Sequence, residues 1–270
     1  MTRASQSATS ASIQSVAVAF DILEELARVG SPIGVSDLAR RLGQTKARVF
    51  RHLNNLRELG FVSKDETTDR YQLGWKIYRL GMSVAENFGL RRVAHRYLRR
   101  LSEETQQTAL LTMPANTDVI VIDAVQSSQH IAITVRPGAV IPAATSALGR
   151  AILAFASDDM VELTLSRPLD QLTEHTLTNV EEIQARLQLI REHWYEVAVA
   201  ERLLGIAALA APVFDHQNRV CGSIAIVASQ SVIDATPDPL LIAQVQSAAR
   251  DISRELRSTA WKDVRIPATP

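Results

Sequence analysis

The chain carries a single cysteine, Cys221, in 270 residues, so no disulfide can close within it. That suits a reducing compartment, and a cytoplasmic protein is the expectation. Cys221 stands in the apolar run VCGSIAIVA, where a lone thiol reads as an inert core residue rather than a nucleophile. No apolar run approaches the roughly 20 residues of a membrane span, and the first dozen residues, MTRASQSATSAS, lack the apolar stretch of a signal peptide. Net charge is also missing: 29 Lys and Arg balance 29 Asp and Glu. A neutral chain does not coat nucleic acid or membrane indiscriminately, so any affinity for DNA must come from a local patch.

One such patch exists, and it too is marked by an absence. From Arg40 to Arg57 there are six Lys or Arg and no Asp or Glu. The surrounding pattern reads as helix, tight turn, basic helix and hairpin. A first helix is expected from Ile13 to Arg28, with Ile13, Val16, Ala17, Phe20, Leu23 and Ala27 at helical spacing. Gly30, Ser31 and Pro32 end it. Ser36 is expected to cap a second helix, and Gly43 permits the turn after it. Thr45 caps a third helix from Lys46 to Leu59, whose buried stripe is Val49, Leu53, Leu56 and Leu59. Phe61–Lys64 and Arg70–Leu73 flank the polar turn Asp65–Asp69 as a hairpin. This is a winged helix-turn-helix pattern.

The third helix supplies the candidate DNA contacts. Arg48 and Arg51 can pair in a bidentate way with guanine, and Asn55 with adenine. Thr45 and Lys46, near the helix start, suit phosphate. His52 is set on a face other than the buried stripe. Lys64 and Arg70 on the wing suit backbone phosphates or the minor groove. The structural alternative is a solvated basic face.

Trp75 to Glu86 reads as a linker helix, broken by Gly89 from a helix that carries Arg91, Arg92, Arg96, Arg99 and Arg100. That second helix is either a solvated basic face or a further phosphate contact. Beyond Thr108 strands and helices mix. Strands are expected at 108–113, 118–125, 131–135, 196–200, 206–214 and 219–228. Helices are expected from Thr145 or Ser146 to Ala156, and at 159–165, 180–193 and 237–257. The order points to an α+β domain with an antiparallel sheet flanked by helices. The resulting divisions are a disordered arm (1–12), a DNA-binding domain (13–74), a linker helix (75–89), a second domain (90–260) and a tail (261–270).

No histidine falls in a spacing that makes a metal site, and neither GxSxG nor a glycine-rich phosphate loop occurs. The sequence thus offers no catalytic set, no metal site and no cofactor, and an enzyme is not expected.

From about Ser12 to Leu256 the chain resembles the IclR family of bacterial transcriptional regulators. The resemblance rests on Leu38-Ala39, Gly43, Arg51, Leu56, Leu59-Gly60 and Tyr71-Gln72-Leu73-Gly74 in the first part. In the second it rests on PAATSALGRA from Pro142 to Ala151 and on Gly205–Phe214, which ends in AAPVF. It implies a winged-helix domain on operator DNA, a dimerising linker helix, and a GAF-like effector-binding domain. The expected assembly is a homodimer or a dimer of dimers. This chain departs from the family where Ser-Thr is usual on the recognition helix, since it has Ala47-Arg48. A glycine usual before Tyr195 is Trp194 here. The family's polar pocket, an acid, a cysteine and two serines that hold a small carboxylate, maps to Ala198, Ala208, Ala225 and Val227. Ile133, Ala147 and Leu148 map to other pocket-lining positions. An apolar or aromatic effector is therefore expected. Two alternatives stand beside it: a small carboxylic acid held by backbone N–H groups around Ala147–Gly149, and a constitutive repressor with no effector.

Overall fold

The computed structural model describes the backbone of residues 6–87, 89–129 and 133–266, with side chains from residue 14 to 81 and from 89 onward within those spans. The chain divides into two compact units, residues 1–88 and 89–270.

The first unit contains α1 (Gln6–Val29), α2 (Val35–Arg41), α3 (Lys46–Glu58), β1 (Val62–Asp65), β2 (Arg70–Leu73) and α4 (Trp75–Asn87). Its core joins Val18, Ile22 and Leu26 of α1 to Leu38, Val49, Leu53, Leu56, Val62 and Tyr71. The expected face of α1 is corrected by this packing: Val16 and Phe20 are 55% and 60% exposed, and Ala17 and Ala27 are exposed as well. Ile13 lies outside the described side chains. The helix also begins at Gln6, inside the segment expected as a disordered arm. No Gly or Pro stands between residues 2 and 12 to stop it; residues 1–5 lie outside the described residues.

Ser36 does not cap α2. Gly34 occupies the N-cap with extended backbone, and no side chain accepts a hydrogen bond there. Thr45 does cap α3, accepting from the Arg48 N–H at 3.3 Å. Ile33 and Tyr71 exchange backbone hydrogen bonds of 2.9 and 2.8 Å, which tie the loop after α1 to the wing.

The second unit contains α5 (Gly89–Thr105), β3 (Thr108–Ala115), β4 (Asp118–Val125), β5 (Val140–Pro142), α6 (Ala147–Leu153), α7 (Asp158–Leu165), α8 (Val180–His193), β6 (Glu196–Val199), β7 (Ile206–Phe214), β8 (Val220–Ser229) and α9 (Pro239–Glu255). Six strands pair in the order β5-β4-β3-β8-β7-β6, antiparallel throughout. Both faces are covered, so the central strands are apolar almost without alternation. Ala207, Leu209, Ala211 and Val213 of β7 and Ile224, Ile226 and Ala228 of β8 pack with α5 and α9. Ala210 and Ala225 face α6 and α8 instead.

Two expectations fail in this unit. Residues 133–135 are not a strand; Val140–Pro142 pairs with β4 in its place, and residues 131–132 lie outside the described residues. The expected tail also starts too early, because Trp261 is buried in the core against Trp194, with ring centroids 4.7 Å apart. Among the described residues no helix is long and apolar enough to cross a membrane.

Candidate DNA-reading helix and effector pocket

Helix α3 turns Val49, Leu53 and Leu56 inward and leaves Thr45, Lys46, Ala47, Phe50, Arg51 and Asn55 exposed. Arg51 lies near the middle of that outward face and Asn55 one turn further on. Arg48 lies at its flank, half-buried, with Nη1 3.1 Å from Gln44 Oε1. His52 is buried, which corrects its expected placement. Burial, and then the charges of Arg51 and Arg48, hold its pKa below the ordinary imidazole value. Leu59, expected in the buried stripe, is 56% exposed because α3 has ended and the chain turns at Gly60. The aromatic ring of Phe50, 47% exposed, carried no role in the sequence. Only its position on the outward face distinguishes it from a core residue.

On the wing, Lys64 Nζ lies 2.5 Å from Asp69 Oδ1 with its side chain mostly covered, whereas Arg70 is exposed. Asp65 accepts from the Thr67 hydroxyl and N–H and from the Thr68 N–H, which hold its carboxyl at about 2 and fix the turn. Lys64 is thus engaged within the hairpin, and Arg70 is the wing cation facing solvent.

The arginines of α5 are largely neutralised. Arg96 pairs with Glu255, Arg99 with Glu103 at 3.3 Å and Arg100 with Glu104 at 2.7 Å. Arg91 lies 3.9 Å from Asp123. These pairs favour the solvated face over a second phosphate contact.

In the second unit the apolar candidates converge. Ala198, Ala208, Val227 and Thr108 are matched in register across β6, β7, β8 and β3. The adjacent matched row is Glu196, Ala210, Ala225, Leu110. Ala147 and Leu148 of α6 and the partly buried Ile133 pack on the same sheet face. The two rows differ in access. Ala198 and Val227 keep 7% and 8% exposure and Ala208 is half-buried, while Ala225 and Ala210 have none. The first row is thus slightly less buried than the second.

Gly149 has a different part. A Cβ there would run into the backbone of Ala143, so the missing side chain lets the 142–146 loop close onto α6. Its N–H is taken by Ser146 Oγ at 3.2 Å, which removes one donor from the expected backbone anion site. Cys221 is half-buried, and burial pushes its thiol up to about 12, as suits an inert residue.

Sequence reading missed what anchors α6. The Arg150 side chain is wholly buried, with Nε 2.7 Å from Glu196 Oε1 and its two terminal nitrogens 2.7 and 2.8 Å from the Glu201 oxygens. Arg186 Nε reaches the other Glu196 oxygen at 2.9 Å. Burial opposes the Arg150 charge, but Glu196 and Glu201 outweigh it, and its pKa is raised.

A basic, outward-facing helix in a winged helix-turn-helix is joined here to a six-stranded domain with a buried ion network. Residues 15–66 match the IclR helix-turn-helix domain, and residues 82–254 match the bacterial transcriptional regulator IclR C-terminal domain. The chain belongs to the IclR family. This IclR-family regulator is 28% identical over 246 residues to the HTH-type transcriptional regulator KdgR of Dickeya chrysanthemi, covering 91% of this chain and 80% of KdgR. It is similar to the crystal structure of an IclR-family regulator from Alicyclobacillus acidocaldarius, with TM-score 0.75, 28% identity, and 92% and 98% of the two chains covered. It shares its fold with an IclR homologue from Microbacterium hydrocarbonoxydans complexed with 4-hydroxybenzoate, with TM-score 0.77, 19% identity, and 90% and 99% covered. The chain is accordingly a DNA-binding transcriptional regulator with an effector-binding C-terminal domain, and its relatives are regulators rather than enzymes.

Proposed function

We propose that this regulator is a cytoplasmic homodimeric or tetrameric repressor of a catabolic or efflux operon, released from its operator by an apolar or aromatic small molecule. The observation that carries the effector class is the matched row Ala198, Ala208, Val227, which offers no side-chain donor. Thr108 ends that row, but its hydroxyl already donates to Ile133 O at 2.8 Å and accepts from the Ser127 N–H at 3.2 Å. A carboxylate desolvated against such a surface finds few partners, whereas an aromatic ring gains from apolar burial at roughly 25 cal/mol per Å². The 4-hydroxybenzoate bound by the Microbacterium homologue is both aromatic and a carboxylate, so that complex supports room for an aromatic ring in this fold and does not separate it from an acid. The exposed Trp75, Tyr78 and Leu80 of α4 and Val16 and Phe20 of α1 support dimerisation through the first unit.

On DNA, Arg51 and Asn55 read bases, Arg48 and Phe50 border them, and Thr45, Lys46 and Arg70 take phosphates. Ile133, Ala147, Leu148, Ala198, Ala208 and Val227 line the effector site, with Ala225 in the adjacent row and Gly149 supporting it. A thermal-shift titration tests the ligand class. Aromatic compounds should raise the melting temperature saturably, and pyruvate and glyoxylate should not. A shift with the short acids alone would transfer the site to backbone donors.

A further inference from the structure

Helix α9 divides its charges between two faces. Asp251 and Glu255, one turn apart, are engaged by α5: Arg100 lies 3.9 Å from Asp251, and both Arg96 and the Tyr97 hydroxyl bind Glu255. Arg250 and Arg254, also one turn apart, line a cleft of about 530 Å³. The chain beyond α9 closes its other side with Ser258, Thr259, Trp261 and Lys262. Three cationic residues therefore border one concavity whose lining contains no carboxylate. Arg250 has only its neighbour Asp251, at 3.5 Å. Among the described residues, no carboxylate lies within ion-pair distance of Arg254 or Lys262.

The ring of Trp261 belongs to the same lining. Trp261 is 4% exposed, and its indole N–H is buried with no acceptor among the described residues. The lining hydroxyls carry no charge and are already engaged: Ser258 Oγ donates to Asn218 Oδ1 at 2.8 Å, and Thr259 Oγ1 lies 3.1 Å from Asn218 Nδ2. What the cleft lacks is acceptor oxygens carrying negative charge.

We infer that this cleft is a second small-molecule site, distinct from the apolar sheet face, for a multiply charged oxyanion such as a dicarboxylate or a phosphate-bearing molecule. Its volume falls in the ordinary range for small-molecule pockets, roughly 300–1,000 Å³. Guanidinium forks such as those of Arg250 and Arg254 suit carboxylate and phosphate oxygens, and Lys262 adds a further positive charge to the lining. A second input fits a regulator, since a ligand here changes DNA affinity wherever it binds the two states of the protein unequally.

The test is calorimetric titration of the full-length protein at low salt with succinate, citrate and inorganic phosphate, with acetate and benzoate as singly charged controls. Saturable binding of at least one multiply charged anion is expected, weakened at least about tenfold by Arg254→Gln or Lys262→Gln. Both positions are exposed, so these variants should fold. Succinate and phosphate, titrated separately, separate the dicarboxylate from the phosphate reading. The ¹⁵N-indole resonance of Trp261 should shift with the same saturation curve. Absence of binding by all three anions, or binding unaltered by both substitutions, would overturn the inference. So would retention of random-sequence duplex DNA that Arg254→Gln abolishes while no small anion binds, which would make this face a phosphate-backbone surface.

Discussion

Arg150 Nε lies 2.7 Å from Glu196 Oε1, and both side chains are essentially cut off from water. The pair joins the start of β6 to α6, the helix that carries Ala147 and Leu148. Arg150 also donates to Ala144 O at 3.2 Å, which ties it to the loop before α6. Arg150→Met should therefore destabilise the second unit by about 3–5 kcal/mol, because Glu201 would be left buried without its partner and Glu196 with Arg186 alone. Chemical denaturation measures this. A loss below about 1 kcal/mol would mean that the network does not anchor the fold.

The two arginines of α3 should behave differently on DNA. Arg51 projects from the exposed face, and its removal should cost about 1–3 kcal/mol on the operator and relax preference at one base position. Arg48 leans back on Gln44, and Arg48→Ala should weaken operator and random DNA alike. Anisotropy titrations on both DNAs decide it. The reverse assignment of the two effects would put Arg48 at the base edges.

His52 makes the first unit sensitive to acid. Its pKa is lowered by burial and by Arg51 and Arg48, so the folded form binds fewer protons than the unfolded form. Its contribution to stability is full above the unfolded pKa of about 6.5 and is lost as pH falls toward the lower folded value. Melting of the first unit should drop between pH 7.5 and 5.5, and His52→Gln should flatten that dependence. Parallel pH curves for the two proteins would contradict this.

Trp194 closes α8 with φ +62°, where glycine is favoured. Its indole packs on Phe155 at 4.9 Å, Trp261 at 4.7 Å and Phe214 at 5.5 Å. Relief of the left-handed backbone is worth about 1–2 kcal/mol, and each aromatic contact about 0.5–1.5 kcal/mol beyond its buried area. Trp194→Gly should therefore lower the melting temperature, and a rise would show that strain dominates there.

Much of this was legible in the sequence, for identifiable reasons. β7, α8 and the wing announce themselves through apolar runs bounded by turn residues or through helical spacing between polar caps. The face of α1 did not, because Val16 and Phe20 keep the same period as Val18, Ile22 and Leu26, and only packing against α3 and β2 decides between them. Residues 131–135, IAITV, alternate as a strand would, yet the edge of β4 takes Val140–Pro142 as its partner. The apolar candidates were found by register with the family, and the sheet pairing then joined Ala198, Ala208 and Val227. Arg150 escaped because its partners stand 46 and 51 residues away, beyond any local pattern.

The most direct test of a ligand-responsive regulator is operator affinity measured against effector concentration. A high-affinity site selected from random DNA would be titrated with the full-length protein by anisotropy, in rising aromatic compound and, separately, in rising pyruvate or glyoxylate. The account predicts a saturable fall in affinity with an aromatic compound and none with the short acids. An operator affinity that follows the short acids, or that no member of either class alters, would contradict it.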